Sequence, residues 1–273
     1  MNKRIPNSFT ILILQILFSF LISCKIQQNL SIPVRTENSI SGTQFYKSVF
    51  TKTREEREIL AKKEILNGNI PAFLKKFVAV HVFIISPSGK KIKATYWVLP
   101  DYLSIGKNED FARIPLTPST AQVIADSLHC FLPTKKIVDD IYKAAKIKLE
   151  PVPMYAFRDS AVTMYQHNLI IEGQRKLKKG LIAGIKKDVI ITSKLIGTSH
   201  KVAIYGWHKT DGGPIQQVYT GHADWYVDYS HGIRLIYQTI LVNKKPMNFR
   251  DILNDPILKK LLCDEDNCTF YHY

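Results

Sequence analysis

The segment that most constrains this chain lies at its start. Met1-Asn2-Lys3-Arg4 opens with two cations, and an apolar run of 14 residues, interrupted by Gln15, extends from Phe9 to Ile22. A run this short does not span a bilayer comfortably. With a cationic start and the small residue Ser23 behind it, it has the pattern of a cleaved export signal. Whatever folds as a globular unit must then begin after residue 23, and must fold outside the cytosol.

Roughly 250 residues follow, enough for one large domain. Export also changes the meaning of the charge. The chain has 38 Lys and Arg against 23 Asp and Glu, a formal charge of +15 that falls to +13 once Lys3 and Arg4 are removed. No nucleic acid partner is expected for an exported chain. The partners to expect are anionic envelope materials: phospholipid headgroups, lipopolysaccharide, or the peptide carboxylates of peptidoglycan.

Behind the leader, residues 24–48 are polar and lack apolar periodicity, which predicts a flexible tether. Thr53-Arg54-Glu55-Glu56 supplies a capping box for a helix running to Leu66, where Asn67-Gly68 stops it. Phe77 to Ile85 and Lys91 to Leu99 predict a hairpin around Pro87-Ser88-Gly89. Thr117-Pro118 and Pro133 begin two further helices, and Asp159 to Glu172 forms another. Then the pattern changes. Val189 to Thr192, Val202 to Trp207, Ile215 to Tyr219 and Ile233 to Val242 predict strands, and Phe249 to Leu262 a closing helix interrupted at Asp255-Pro256. The expected fold is a single compact α+β domain over 49–273, with N-terminal helices and a hairpin followed by a mainly antiparallel sheet.

Leu21-Ile22-Ser23-Cys24 resembles the lipobox of bacterial lipoproteins. The resemblance implies cleavage behind Ser23, a diacylglyceryl group on Cys24, and a mature protein held by its lipid to the inner or outer membrane of a bacterial envelope. Three cysteines remain. Cys263 and Cys268 enclose only Asp-Glu-Asp-Asn, so a small local disulfide is expected in an oxidising compartment. That leaves Cys130 as an odd thiol, either buried and inert or reactive.

Half of the eight histidines, His200, His208, His222 and His231, fall in one stretch with Asp211, Asp224 and Asp228. Aromatics are interleaved with them, among them Trp207, Trp225 and Tyr229. Loops of a strand meander converge on one rim, where such groups would form a site that stacks a substrate and moves protons. His208, His222 and His231 with Asp224 or Asp228 would also suit zinc, but none of their spacings is diagnostic. Neither a metal nor a cofactor is expected.

Two family resemblances meet here. Ser199-His200-Lys201-Val202-Ala203-Ile204-Tyr205-Gly206 is similar to the histidine strand of NlpC-type papain-like envelope peptidases, with one inserted lysine. It implies Cys130 as nucleophile, His200 as its base and His222 as the group orienting the imidazole. Tyr229-Ser230-His231-Gly232-Ile233-Arg234-Leu235 resembles the Ser-His-Gly motif of L,D-transpeptidases without its cysteine, which leaves Ser230 as the available hydroxyl beside Asp228 and His231. The chain is therefore expected to be an envelope hydrolase, a peptidase or amidase on peptidoglycan, with His231, His200 and Cys130 foremost and Ser230, Asp228 and His222 in support. The alternative is a non-catalytic lipoprotein that binds glycan or wall peptide through Trp207, Trp225, Tyr229 and Arg234.

Overall fold

The structure, a computed structural model, describes residues 28–273. The export signal, the lipobox and Cys24 lie outside these residues. In chain order the helices are α1 (Gly42–Val49), α2 (Arg54–Leu66), α3 (Pro118–Ser127), α4 (Lys135–Ala144), α5 (Ala161–Arg175) and α6 (Phe249–Asn254). The longer strands are β1 (Val78–Ile85), β2 (Lys91–Val98), β3 (Ser104–Lys107) and β4 (Asp110–Arg113). Short strands β5 (Cys130–Phe131), β6 (Ile147–Lys148), β7 (Ile182–Ala183) and β8 (Lys187–Val189) alternate with the middle helices. The C-terminal third adds β9 (Ile204–His208), β10 (Pro214–Tyr219), β11 (His231–Gly232), β12 (Ile236–Tyr237), β13 (Thr239–Val242) and β14 (Lys245–Asn248). The fold is α+β, as the order of patterns predicts.

The helix starts follow from side-chain chemistry. Thr53 and Glu56 form the expected capping box of α2, and Thr117 caps α3 with Pro118 in its first turn. Thr134 and Ser160 cap α4 and α5 by accepting from the amides of Ile137 and Thr163. Around the hairpin β1–β2, paired from Val78↔Val98 to Ile85↔Lys91, a six-stranded sheet is built. Strands β12 and β13 pair in succession along the same β2 strand, at Ile236↔Val98 and Leu241↔Thr95. A second, four-stranded sheet runs β10-β9-β8-β11. Its β11–β8 pair is parallel, as is β6–β7.

Two expectations are corrected. The tether assigned to 24–48 is, from residue 28, packed against the domain. Leu30 is buried and its amide donates to Lys75 O at 2.8 Å, and Arg35 donates to Asn69 Oδ1 at 2.8 Å. Ser41 and Gln44 form a second capping box for α1, which buries Phe45, Tyr46 and Val49. Tyr46 then donates its hydroxyl proton to Arg113 O at 2.8 Å. Three apolar side chains on one face suffice to dock a helix of only two turns, a pattern that the polar residues around it conceal. The single strand expected over Ile233–Val242 is instead divided into β12 and β13, both in the six-stranded sheet. Gly232 ends β11 in one sheet, and β12 and β13 belong to the other.

Candidate functional site

Strands β8 and β11 and the loop before β11 bring charged groups into the interior together. Asp228 is the centre. Its Oδ1 accepts from the Ser230 amide at 2.8 Å and the Ser230 hydroxyl at 2.6 Å. Its Oδ2 accepts from Arg158 Nη2 at 2.9 Å and the Tyr226 hydroxyl at 3.2 Å. Burial by itself would raise this carboxyl, but His231, the Ser230 donors and Arg158 outweigh it and hold it at about 2. Asp228 is thus an ionised carboxylate fixed inside the protein.

His231 stands next to it. Among the described residues neither of its ring nitrogens has a hydrogen-bond partner, although the residue is only 1% exposed. Burial pulls the imidazole down to about 4, against the pull of Asp228, so it is neutral at ordinary pH. Its ring centroid lies 6.1 Å from that of half-buried His222 and 5.9 Å from that of Tyr226. The cations complete the group. Lys187 Nζ sits 5.0 Å above the Trp207 ring, its pKa lowered by burial against the pull of Asp228. Buried Lys186 donates to Tyr229 O and lies 3.1 Å from His167 Nδ1. Desolvation, reinforced by Arg113, brings its amine down to about 7.

The backbone here is strained. Trp207, a bulky residue, has φ 55° in the left-handed region, and its amide donates to Lys186 O at 3.0 Å. A strained aromatic, a buried lysine with a depressed pKa and an unpartnered imidazole in one place are features of functional sites.

The sequence-predicted residues divide clearly. Asp228, Ser230, His231 and His222 are brought together. A turn brings Ser230 and His231 together, but the Ser230 hydroxyl donates to Asp228 and not to His231, and a carboxylate held at about 2 is a weak base for it. Cys130 is corrected outright. It belongs to β5 in the other sheet, pairs with Tyr237, and gives its thiol proton to Leu128 O at 3.3 Å. Burial pushes that thiol well above the usual range, so no thiolate is available. His200 is also corrected: its side chain is 85% exposed and pairs with Asp224 at 3.3 Å, away from any nucleophile.

The aromatic platforms are largely corrected too. Trp207 is buried beneath Lys187, and Tyr229 is buried with its hydroxyl accepting from the Met154 amide at 2.6 Å. Arg234 is interior, donating to Leu99 O at 3.0 Å and Ile182 O at 2.7 Å while stacking on Tyr102. These side chains hold the sheet together. Trp225 alone keeps its expected exposure, 58%, beside a groove of about 300 Å³ lined by Arg54, Glu55, Thr120 and Asp224. Gly232 of the Ser-His-Gly motif is approached closely by other parts of the protein. A Cβ there would lie 2.5 Å from the Tyr102 ring and 2.6 Å from Lys186 Cβ.

Lys186, Lys187, Arg158, Tyr226 and His167 were not anticipated as site residues. The signal available was Lys186-Lys187-Asp188, three charges set directly before the apolar run Val189-Ile190-Ile191. The expected bond between Cys263 and Cys268 is present. Among the described residues no group of three or more His, Cys, Asp or Glu side chains is placed to hold a metal, and no helix is long and apolar enough to cross a membrane. Comparison with known proteins finds no protein family, no curated protein and no solved structure that matches this chain, and leaves the geometry around Asp228 as the ground for its chemistry.

Proposed function

We propose that this chain is a lipid-anchored protein of a bacterial cell envelope that hydrolyses amide bonds of wall peptide. The leader and the lipobox resemblance support the location. The chemistry rests on one observation: a neutral imidazole, His231, with both nitrogens unpartnered beside a fixed carboxylate and a set of cations. At ordinary pH this imidazole is deprotonated with a nitrogen free to receive a proton, and Asp228 favours the charged form that results. Water attacks the amide carbon, and His231 takes the proton that water loses. The oxyanion that forms is steadied by Lys187 and Arg158. The C–N bond then breaks, and His231 returns the proton to the departing amine. In this reading the half-buried rings of His222 and Tyr226 give way to substrate. Asp228 stabilises the imidazolium between the two proton transfers.

The full chain should release soluble peptide from purified sacculi, and His231→Gln should lower the rate about a hundredfold or more. Cys130→Ala should digest like the wild type. Equal digestion by His231→Gln and wild type would overturn the assignment. A second reading, non-catalytic binding of wall glycan, is favoured by the exposed Trp225 ring at its groove. It requires saturable binding without turnover, abolished in Trp225→Ala, and retained affinity in that variant counts against it.

A further inference from the structure

A second groove lies apart from Asp228, at the edge of the molecule where the described chain begins. It has a volume of about 590 Å³ and is lined in part by Phe73, Lys76, Glu109, Arg175, Leu177, Lys178 and Lys179. Arg175 is already satisfied by Glu172, its Nε donating to both carboxylate oxygens at 3.0 and 2.9 Å. The exposed lysines Lys76, Lys178 and Lys179 therefore face one acid of the lining, Glu109. Between lysines at the rim, Leu177 is 81% exposed. The backbone holds it there in an unfavourable conformation, with Lys176 at φ 49° and Leu177 at φ 62°, two successive non-glycine residues in the left-handed region. An apolar side chain kept in water and flanked by cations suits an interface of apolar and anionic chemistry.

The position of the chain start says what that interface is. Phe77 N donates to Gln28 O at 3.1 Å, Leu30 N donates to Lys75 O at 2.8 Å, and Asn29 bridges to Lys76. The first described residue is therefore pinned beside Lys76. Cys24 stands four residues earlier in the sequence. Four residues reach at most about 14 Å when fully extended, so a lipid on Cys24 enters its bilayer close to this groove.

We propose that the groove and its Lys76, Lys178, Lys179 and Leu177 rim form a membrane-docking face that seats on anionic phospholipid headgroups. The lysines take the phosphates, and Leu177 enters the boundary between headgroups and acyl chains. Docking fixes the orientation of the domain on the bilayer, adding an electrostatic attachment to the lipid one. The placement at a membrane rests on the reading of Cys24 as lipidated, whereas the affinity of the face does not.

The test uses the mature chain from residue 24 carrying Cys24→Ala, so that neither the leader nor an acyl chain contributes, with vesicles of phosphatidylcholine alone or containing phosphatidylglycerol. Two reversals of equal charge are compared in that background. K76E/K178E/K179E alters the groove. K90E/K244E/K245E alters exposed lysines at the opposite end of the β1–β2 hairpin. The expected result is stronger sedimentation with anionic vesicles, weakened about tenfold or more by the groove variant and little changed by the other. Leu177→Ser should weaken binding with the charge unchanged. Equal losses in the two reversals, or no preference for anionic vesicles, would overturn the proposal. Lipid labelling of the unaltered chain tests Cys24 separately, so a failure there is distinguishable from a failure of the face.

Discussion

Lys186 shows how far a side chain's protonation is set by its surroundings. Its amine is enclosed by protein, with Arg113 nearby adding positive potential, and its pKa falls to about 7. In the unfolded chain the same amine returns to the usual lysine value near 10.4. Between those values the unfolded state holds a proton that the folded state has released, so stability rises with pH across this window. The slope is bounded at about 1.4 kcal/mol per pH unit for one group. In Lys186→Met that contribution disappears. The difference in unfolding free energy between wild type and variant, measured in urea at several pH values from 7 to 10, should therefore grow in favour of the wild type. A difference independent of pH would mean that the amine stays protonated when folded. His231 was legible in the sequence because Asp228, Ser230 and His231 are neighbours along the chain. Lys186 and Arg158 were not, because they reach this carboxylate and its loop from other elements, and no spacing in the sequence encodes that meeting. Cys130 misled for the opposite reason: oxidation state and parity single out a thiol without saying whether it faces water or core.

The elements with local signals are those read correctly. Thr53 with Glu56, and Thr117 with Pro118, mark α2 and α3 within their own first turns, so tertiary context is not needed to find them. Asp255-Pro256 likewise separates α6 from the 3-10 turn Leu258–Leu261. Where local signal is weak, packing decides. The run Ile233–Val242 is mostly apolar and resembles one strand, but its divisions depend on which strand each residue meets. Helix α1 is the clearest case. Its neighbours in sequence are polar, and only its seat against β3, β4 and α5 reveals it as core. Gly42 belongs to that seat, since a Cβ there would come within 2.4 Å of Ala112 N. Phe45→Ala should accordingly cost about 3–5 kcal/mol, the cavity cost of a buried phenylalanine. Chemical denaturation measures it directly. A change below about 0.5 kcal/mol would restore the tether reading, because surface substitutions fall in that range.

For the molecule as a whole, net charge was visible in the sequence, but its distribution was not. Lys76 and Lys178–Lys179 are about a hundred residues apart in the chain and share one groove only because α5 returns to the edge where β1 begins. The C-terminal end is organised by the same long-range logic. The Cys263–Cys268 loop carries Asp264, which pairs with Lys135 at 2.7 Å at the start of α4. Glu265 accepts from the Thr192 hydroxyl and, at 2.9 Å, from the Ser193 amide just beyond β8. Beyond the loop, the Tyr273 hydroxyl accepts from Ala203 N at 3.1 Å and donates to Ile190 O. The bond therefore ties the last residues over the sheet whose β8 carries Lys187. Closing so small a loop removes unfolded-state entropy equivalent to about 2 kcal/mol. Replacing both cysteines by serine should lower the unfolding free energy by that amount. Adding reductant to the wild type should produce the same loss while leaving the double variant unmoved. If reductant shifts the wild-type transition by nothing, the contacts of Asp264, Glu265 and Tyr273 hold the terminus by themselves, and the bond contributes no stability.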